Sequence, residues 1–174
     1  MPDINPLYLM AGLSLLGLAP FFLMMVTSYV KIVVVTSLVR NALGVQQVPP
    51  TMVMNGLAII LSVFIMAPVA MDTADIVKNI TLPPQPGFAD VLSVAEQASP
   101  PLKRFLAANS DEKVTNMFMG TAKRIWPAER HNLISKDNLL IMIPAFTISE
   151  LTKAFQIGFV LYLAFVAIDL IISN

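Results

Sequence analysis

Few residues in this chain could carry out chemistry, and their types and spacing argue against catalysis. His131 is the only histidine and there is no cysteine, so one chain cannot assemble a His/Cys metal site. A triad-type nucleophile would have to use His131, which lies in the charged turn Pro127–His131, and no Gly-x-Ser-x-Gly elbow is present. No phosphate-cradling glycine motif occurs among the seven glycines. Asp111 and Glu112 are adjacent carboxylates, but that spacing fits the start of a helix, where negative charge meets the positive end of the dipole. No enzyme, cofactor or metal is expected.

The informative polar residues are instead charges set in apolar surroundings. Lys31 and Arg40 are the only charged residues between Asp3 and Asp72. Two explanations stand for them. They could snorkel to lipid headgroups and mark the cytoplasmic side, or serve function and assembly, as charges near a membrane interior commonly do. Asn41 follows Arg40, and Asn55–Gly56 offers a small polar spot suited to helix packing. Near the other end, Ser149, Glu150, Lys153 and Gln156 fall on about a third of a helix circumference at 100° per residue. Such a stripe points to a partner surface or a water-filled lumen, because lipid would leave it unsatisfied. Glu150 and Lys153, at i,i+3, could equally neutralise each other. Asp169 has no neighbour of opposite sign and needs a cation from elsewhere, Lys31 or a neighbouring subunit.

The elements that must position these residues are mostly long apolar helices. Of the 174 residues, 56% are hydrophobic and 13% charged, about half the charge of an ordinary soluble domain. The formal net charge is zero, which removes the electrostatic case for nucleic acid. Leu7–Val26 and Met52–Met71 are uncharged runs long enough to cross a hydrocarbon core of about 30 Å. If the first helix ran on to Asn41 it would be about 50 Å long, so it must tilt, kink near Pro20 or emerge into an assembly. No Lys or Arg precedes Lys31, so a cleaved signal peptide is not expected. The two unbalanced cations of the 27–51 connector place it in the cytoplasm and the flanking ends outside.

Residues 72–138 differ in character. Asp72–Asp137 holds eight of the eleven acids and eight of the eleven bases. Pro83–Gly87 predicts a stiff linker. Helical spacing follows in Phe88–Ala95, after Ser99–Pro100 as N-cap and N1, and after an Asn109/Glu112 capping box, with Trp126–Pro127 as a stop. Together these predict a small, water-exposed, all-helical insert. Ser135 is expected to cap the last apolar element, 139–174, which Glu150 would divide into two pieces.

Three runs, TSYVKIVVVTSLVRNALGVQQVPP, NGLAIILSVFIMAPV and IPAFTISELTKAFQIGFVLYLAFVAIDLIISN, resemble the FliP/SctR family of inner-membrane proteins of the type III export gate. The absent signal and short 72–138 insert are more similar to its injectisome branch than to its flagellar one. The resemblance implies an all-α fold of membrane-associated long helices arranged as helical hairpins, with an N-terminal hairpin over 1–71, the 72–138 helical insert on the periplasmic side and a C-terminal apolar helix region over 139–174. It implies about five copies assembling with FliQ/SctS-like and FliR/SctT-like partners, alongside FlhA/SctV-like and FlhB/SctU-like components, as a conduit for unfolded protein substrates. Family members continue past the Ile-Ile-Ser-Asn end into a Met-rich loop, so the sequence is expected to be shortened there. On this basis Lys31, Arg40 and Asn41 anchor the cytoplasm-facing bend, Asn55 packs helices, Glu150, Lys153 and Gln156 join subunits, and Asp169 pairs within the bundle. From another class, a small polytopic transporter or channel could use Lys31, Glu150, Lys153 and Asp169 as an ion relay. A plain membrane scaffold is the third possibility.

Overall fold

The computed structural model describes residues 6–45, 48–81, 83 and 87–173. Among them the chain is all helix: α1 Pro6–Met25, α2 Tyr29–Ala42, α3 Thr51–Lys78, α4 Phe88–Ala98, α5 Pro100–Asn109, α6 Glu112–Ile125, a 3₁₀ turn Ala128–Leu133, and α7 Leu139–Ile172. Most of the linker expected at Pro83–Gly87 lies outside the described residues, as do Gln46 and Gln47.

The first long element does break, but not at Pro20, which sits inside α1. The break falls at Val26–Ser28, where the chain bends by 60° between α1 and α2. Tertiary contacts fix it there. Val26 is buried with Leu106, Met142 and Phe146, and the carbonyl of Met25, freed at the helix end, lies 3.2 Å from the Thr147 hydroxyl of α7. α2 ends where Gly44 takes a left-handed φ of +67°, a conformation open to glycine at little cost.

α3 has 28 residues and α7 has 34, and both are long and apolar enough to cross a membrane. At 1.5 Å per residue they measure about 42 and 51 Å, beyond the thickness of a hydrocarbon core. α3 runs past the apolar stretch into Asp72–Lys78, where Lys78 and Asp75 pair across one turn at 2.8 Å. α7 is continuous through Glu150, so the expected division there does not occur; a partner on another helix neutralises that residue.

α7 is the axis of the packing, with α2 along one side and α5 and α6 along another. The core is small: Leu106 and Ala145 are fully buried and Phe146 nearly so, with the Phe105 ring tilted against Phe146 at 5.6 Å. Within the insert, α5 and α6 therefore lean on α7, and α4 on α3 and α5, instead of making a core of their own, as expected of so short a segment. Two caps differ from expectation by two or three residues. Asp111, not Asn109, caps α6 by accepting from the Lys113 N–H at 2.7 Å. Asn138, not Ser135, caps α7 by accepting from the Leu140 N–H at 2.9 Å. Ser99 does stand at the start of α5, but its hydroxyl donates back to the Glu96 carbonyl.

Candidate functional site: a polar node where α2, α5 and α6 meet α7

Ala145, Phe146, Ser149, Glu150, Ala154 and Gly158 recur at three- and four-residue intervals, and all are buried on one face of α7. Most of that face is small or apolar, and Glu150 stands in its middle with only 2% of its side chain exposed. A carboxylate there is costly unless ionic and hydrogen-bonding partners replace water. Lys31 of α2 supplies the first, its Nζ 2.5 Å from Glu150 Oε2. Lys153, one turn along α7, lies 3.4 Å from Oε1. The lysines are 29% and 41% exposed, so their stems pack while their ammonium groups keep some contact with the surroundings.

The node binds more than one helix pair. Lys153 Nζ also donates to the carbonyl of Asn109 at 2.5 Å, at the last residue of α5, where the helix dipole favours a cation. Ser149, buried beside Glu150, accepts from the Asp111 N–H at 2.8 Å and donates to the Ala145 carbonyl at 2.7 Å. One turn of α7 thus satisfies the end of α5, the start of α6 and the ammonium of α2. The Thr147 contact to Met25 adds the α1–α2 break to the same group.

Beyond the node, α2 and α7 approach closely at Gly158. A Cβ built there would lie 2.8 Å from Leu38 Cβ and closer still to Leu38 Cδ1. Only a residue without a side chain fits. No charge or motif marks Gly158 in the sequence; its spacing from Ala154, two small residues four apart, is the local signal for such an approach.

The expected site residues separate into two groups. Lys31, Glu150 and Lys153 are brought together. Lys31 faces the buried Glu150, not Asp169, which corrects one of the two partners suggested for Asp169. Asp169 is exposed and in no ion pair among the described residues. Gln156 and Asn41 are exposed, and Asn55 is half-buried on α3. Arg40 is separate from the node: its Nη1 donates to the Thr51 hydroxyl at 3.2 Å, joining the end of α2 to the start of α3.

The profile of the FliP family matches residues 12–174. The chain is 45% identical over 174 residues to "Pathogenicity-related ORF2" of Xanthomonas campestris pv. glycines, covering all of this chain and 80% of that one. It is 44% identical to "Virulence protein YscR" of Salmonella typhimurium, again over the whole chain and 80% of the relative. Against "Yop proteins translocation protein R" of Yersinia pestis the identity is 44% over 176 residues, all of this chain and 79% of the relative. Matched along nearly its whole length and by relatives at this identity, the chain belongs to the FliP/SctR family of type III secretion export-apparatus proteins.

Proposed function

We propose that this protein is a pore-forming subunit of the type III export gate, assembling as about five copies in the bacterial inner membrane into a conduit for unfolded secreted proteins. FliQ/SctS-like and FliR/SctT-like chains complete the gate, and FlhA/SctV-like and FlhB/SctU-like components adjoin it. The connector between α2 and α3 faces the cytoplasm and the 72–138 insert faces the periplasm. The observation carrying this reading is the contrast along α7. Its first half is held by the buried node, whereas from Phe155 to Ile172 large apolar side chains stay exposed on a helix too long for a simple crossing. A lone protomer leaves that surface to lipid or to neighbours, and Asp169 within it calls for a polar neighbour, because acyl chains offer none. Lys31, Glu150 and Lys153 fix the shape of the protomer, while Gln156, Asp169 and Asn41 face outward towards the assembly.

The mass of the detergent-extracted complex tests this. Several copies together with two further small membrane proteins support the gate, and a single-copy particle refutes it. Ion flux through liposomes containing this chain alone would likewise refute it in favour of a self-sufficient transporter.

A further inference from the structure

α4 is an amphipathic helix turned the unusual way round. Phe88, Val91, Leu92 and Ala95 follow the i, i+3, i+4, i+7 pattern of a buried stripe, yet all four are exposed, Phe88 by 71%. Asp90, Val94 and Ala98 are instead the half-buried positions, on the side from which α3 and α5 approach. An apolar stripe of this kind marks a docking surface.

The charges choose between a lipid surface and a protein. α4 carries Asp90 and Glu96 and neither Lys nor Arg, whereas helices that lie on membranes are rich in cations on their polar face. A protein with basic and apolar residues side by side is the better match, and the chain itself displays one. On α6, Lys113, Met117, Thr121 and Arg124 form one exposed row, with Lys123 and Ile125 exposed beside its end. Met117 and Ile125 are 55% and 71% exposed. Among the described residues, Glu96, Lys113, Lys123 and Arg124 take part in no ion pair.

We infer that the α4 stripe of one copy docks on the α6 row of the next, with Leu92 at its centre against Met117 and Thr121 and Glu96 among the α6 cations. The two surfaces differ, so the contact is heterologous and repeats from copy to copy, into a ring or a helical array according to the rotation between copies. This rests on the multi-copy reading above and adds to it which faces meet.

The absence of cysteine makes a direct test simple. In the full chain, Leu92→Cys is paired in turn with Met117→Cys and Thr121→Cys, and membranes are oxidised before denaturing electrophoresis. Both cysteines on one chain should give a ladder of linked copies. Two single-cysteine chains expressed together should give dimers only, and either alone should give none. A ladder lost in both double variants, while the extracted complex still contains several copies, overturns this interface and leaves the multi-copy reading standing. Dimers from Leu92→Cys alone, or its linkage to a different protein, also overturn it. A single-copy complex removes both.

Discussion

Gly158→Ala tests the closeness of α2 and α7 most sharply. The new Cβ would lie 2.8 Å from Leu38 Cβ and 3.1 Å from Leu38 Cγ, with Cδ1 nearer still. Ordinary carbon contacts begin at about 3.5 Å, so one helix must move by the better part of an ångström. Rotation of the Leu38 side chain relieves Cδ1 and Cγ but cannot move its Cβ, which is fixed to the α2 backbone. Overpacking of this kind costs about 1–3 kcal/mol, and the displacement would act next to the node. The expected result is a lower thermal midpoint for the purified protein and reduced secretion by cells carrying the variant. Leu38→Ala added to it removes two of the three clashing atoms and leaves the third, so rescue should be partial. Leu38→Gly clears all three and should restore α2–α7 packing more fully, less about 1 kcal/mol for glycine in a helix. A Gly158→Ala protein with unchanged stability, or a loss that Leu38→Ala does not reduce at all, would refute the close approach, since residues in contact must show a coupling energy.

Three further outcomes follow from the polar groups. Glu150→Ala should destabilise by up to about 3–5 kcal/mol, the range for breaking a buried pair, with the lower part favoured because both lysines have some access outward. Glu150→Gln keeps the shape and should lose less, and a thermal ranking with Gln below Ala would contradict the pairing. Ser149→Ala leaves the Asp111 N–H without its acceptor and should cost about 1–3 kcal/mol, read as faster hydrogen exchange at the start of α6. Lys136, hydrogen-bonded to Glu112 at 2.7 Å, holds that carboxyl below its ordinary value of 4.5, by the hydrogen bond first and by charge second. A lowered carboxylate pKa gives stability present above the ordinary value and lost as pH falls through the lowered one. Lys136→Ala should therefore raise the NMR-observed titration of Glu112 towards the ordinary value, and no movement would refute the contact.

What the sequence revealed followed from local pattern. The apolar spans, the short insert helices and the stop at Trp126–Pro127 depend on residues a few positions apart, and so did the polar stripe on α7. The break at Val26–Ser28 did not, because it depends on Val26 reaching Leu106 and Phe146 and on Thr147 reaching back to Met25. Pro20 was the stronger local signal, yet α1 runs through it. Glu150 likewise does not divide its helix, whatever its charge suggests locally. A Glu is a good helix former, and it looks out of place only until Lys31, more than a hundred residues earlier in the chain, meets it. One glycine in a long apolar helix, such as Gly158, has only its spacing from Ala154 as a local mark; what sets it apart is the Leu38 side chain facing it.

The node also bears on why charges are used here at all. A hydrophobic trio of similar volume would serve as well for stability, or better, because desolvation of ions offsets much of their attraction. Apolar packing along α7 opposes a slide of α2 mainly through the Leu38 contact with Gly158, where a side chain on α7 would clash. The Lys31–Glu150 pair forbids that slide: moving α2 by one turn, about 5.4 Å, would strand a buried carboxylate. Ser149 and Lys153 impose the same register on the α5–α6 junction through backbone atoms that no substitution elsewhere can change. In the proposed multi-copy gate, where outer surfaces would have to match neighbouring subunits, fixing the helices along their axes matters more than extra stability. On that reasoning, replacing Lys31, Glu150 and Lys153 together by Met, Leu and Met should leave the thermal midpoint near or above that of the natural chain while lowering assembly and secretion. Loss of both in parallel would show instead that the node acts through stability alone.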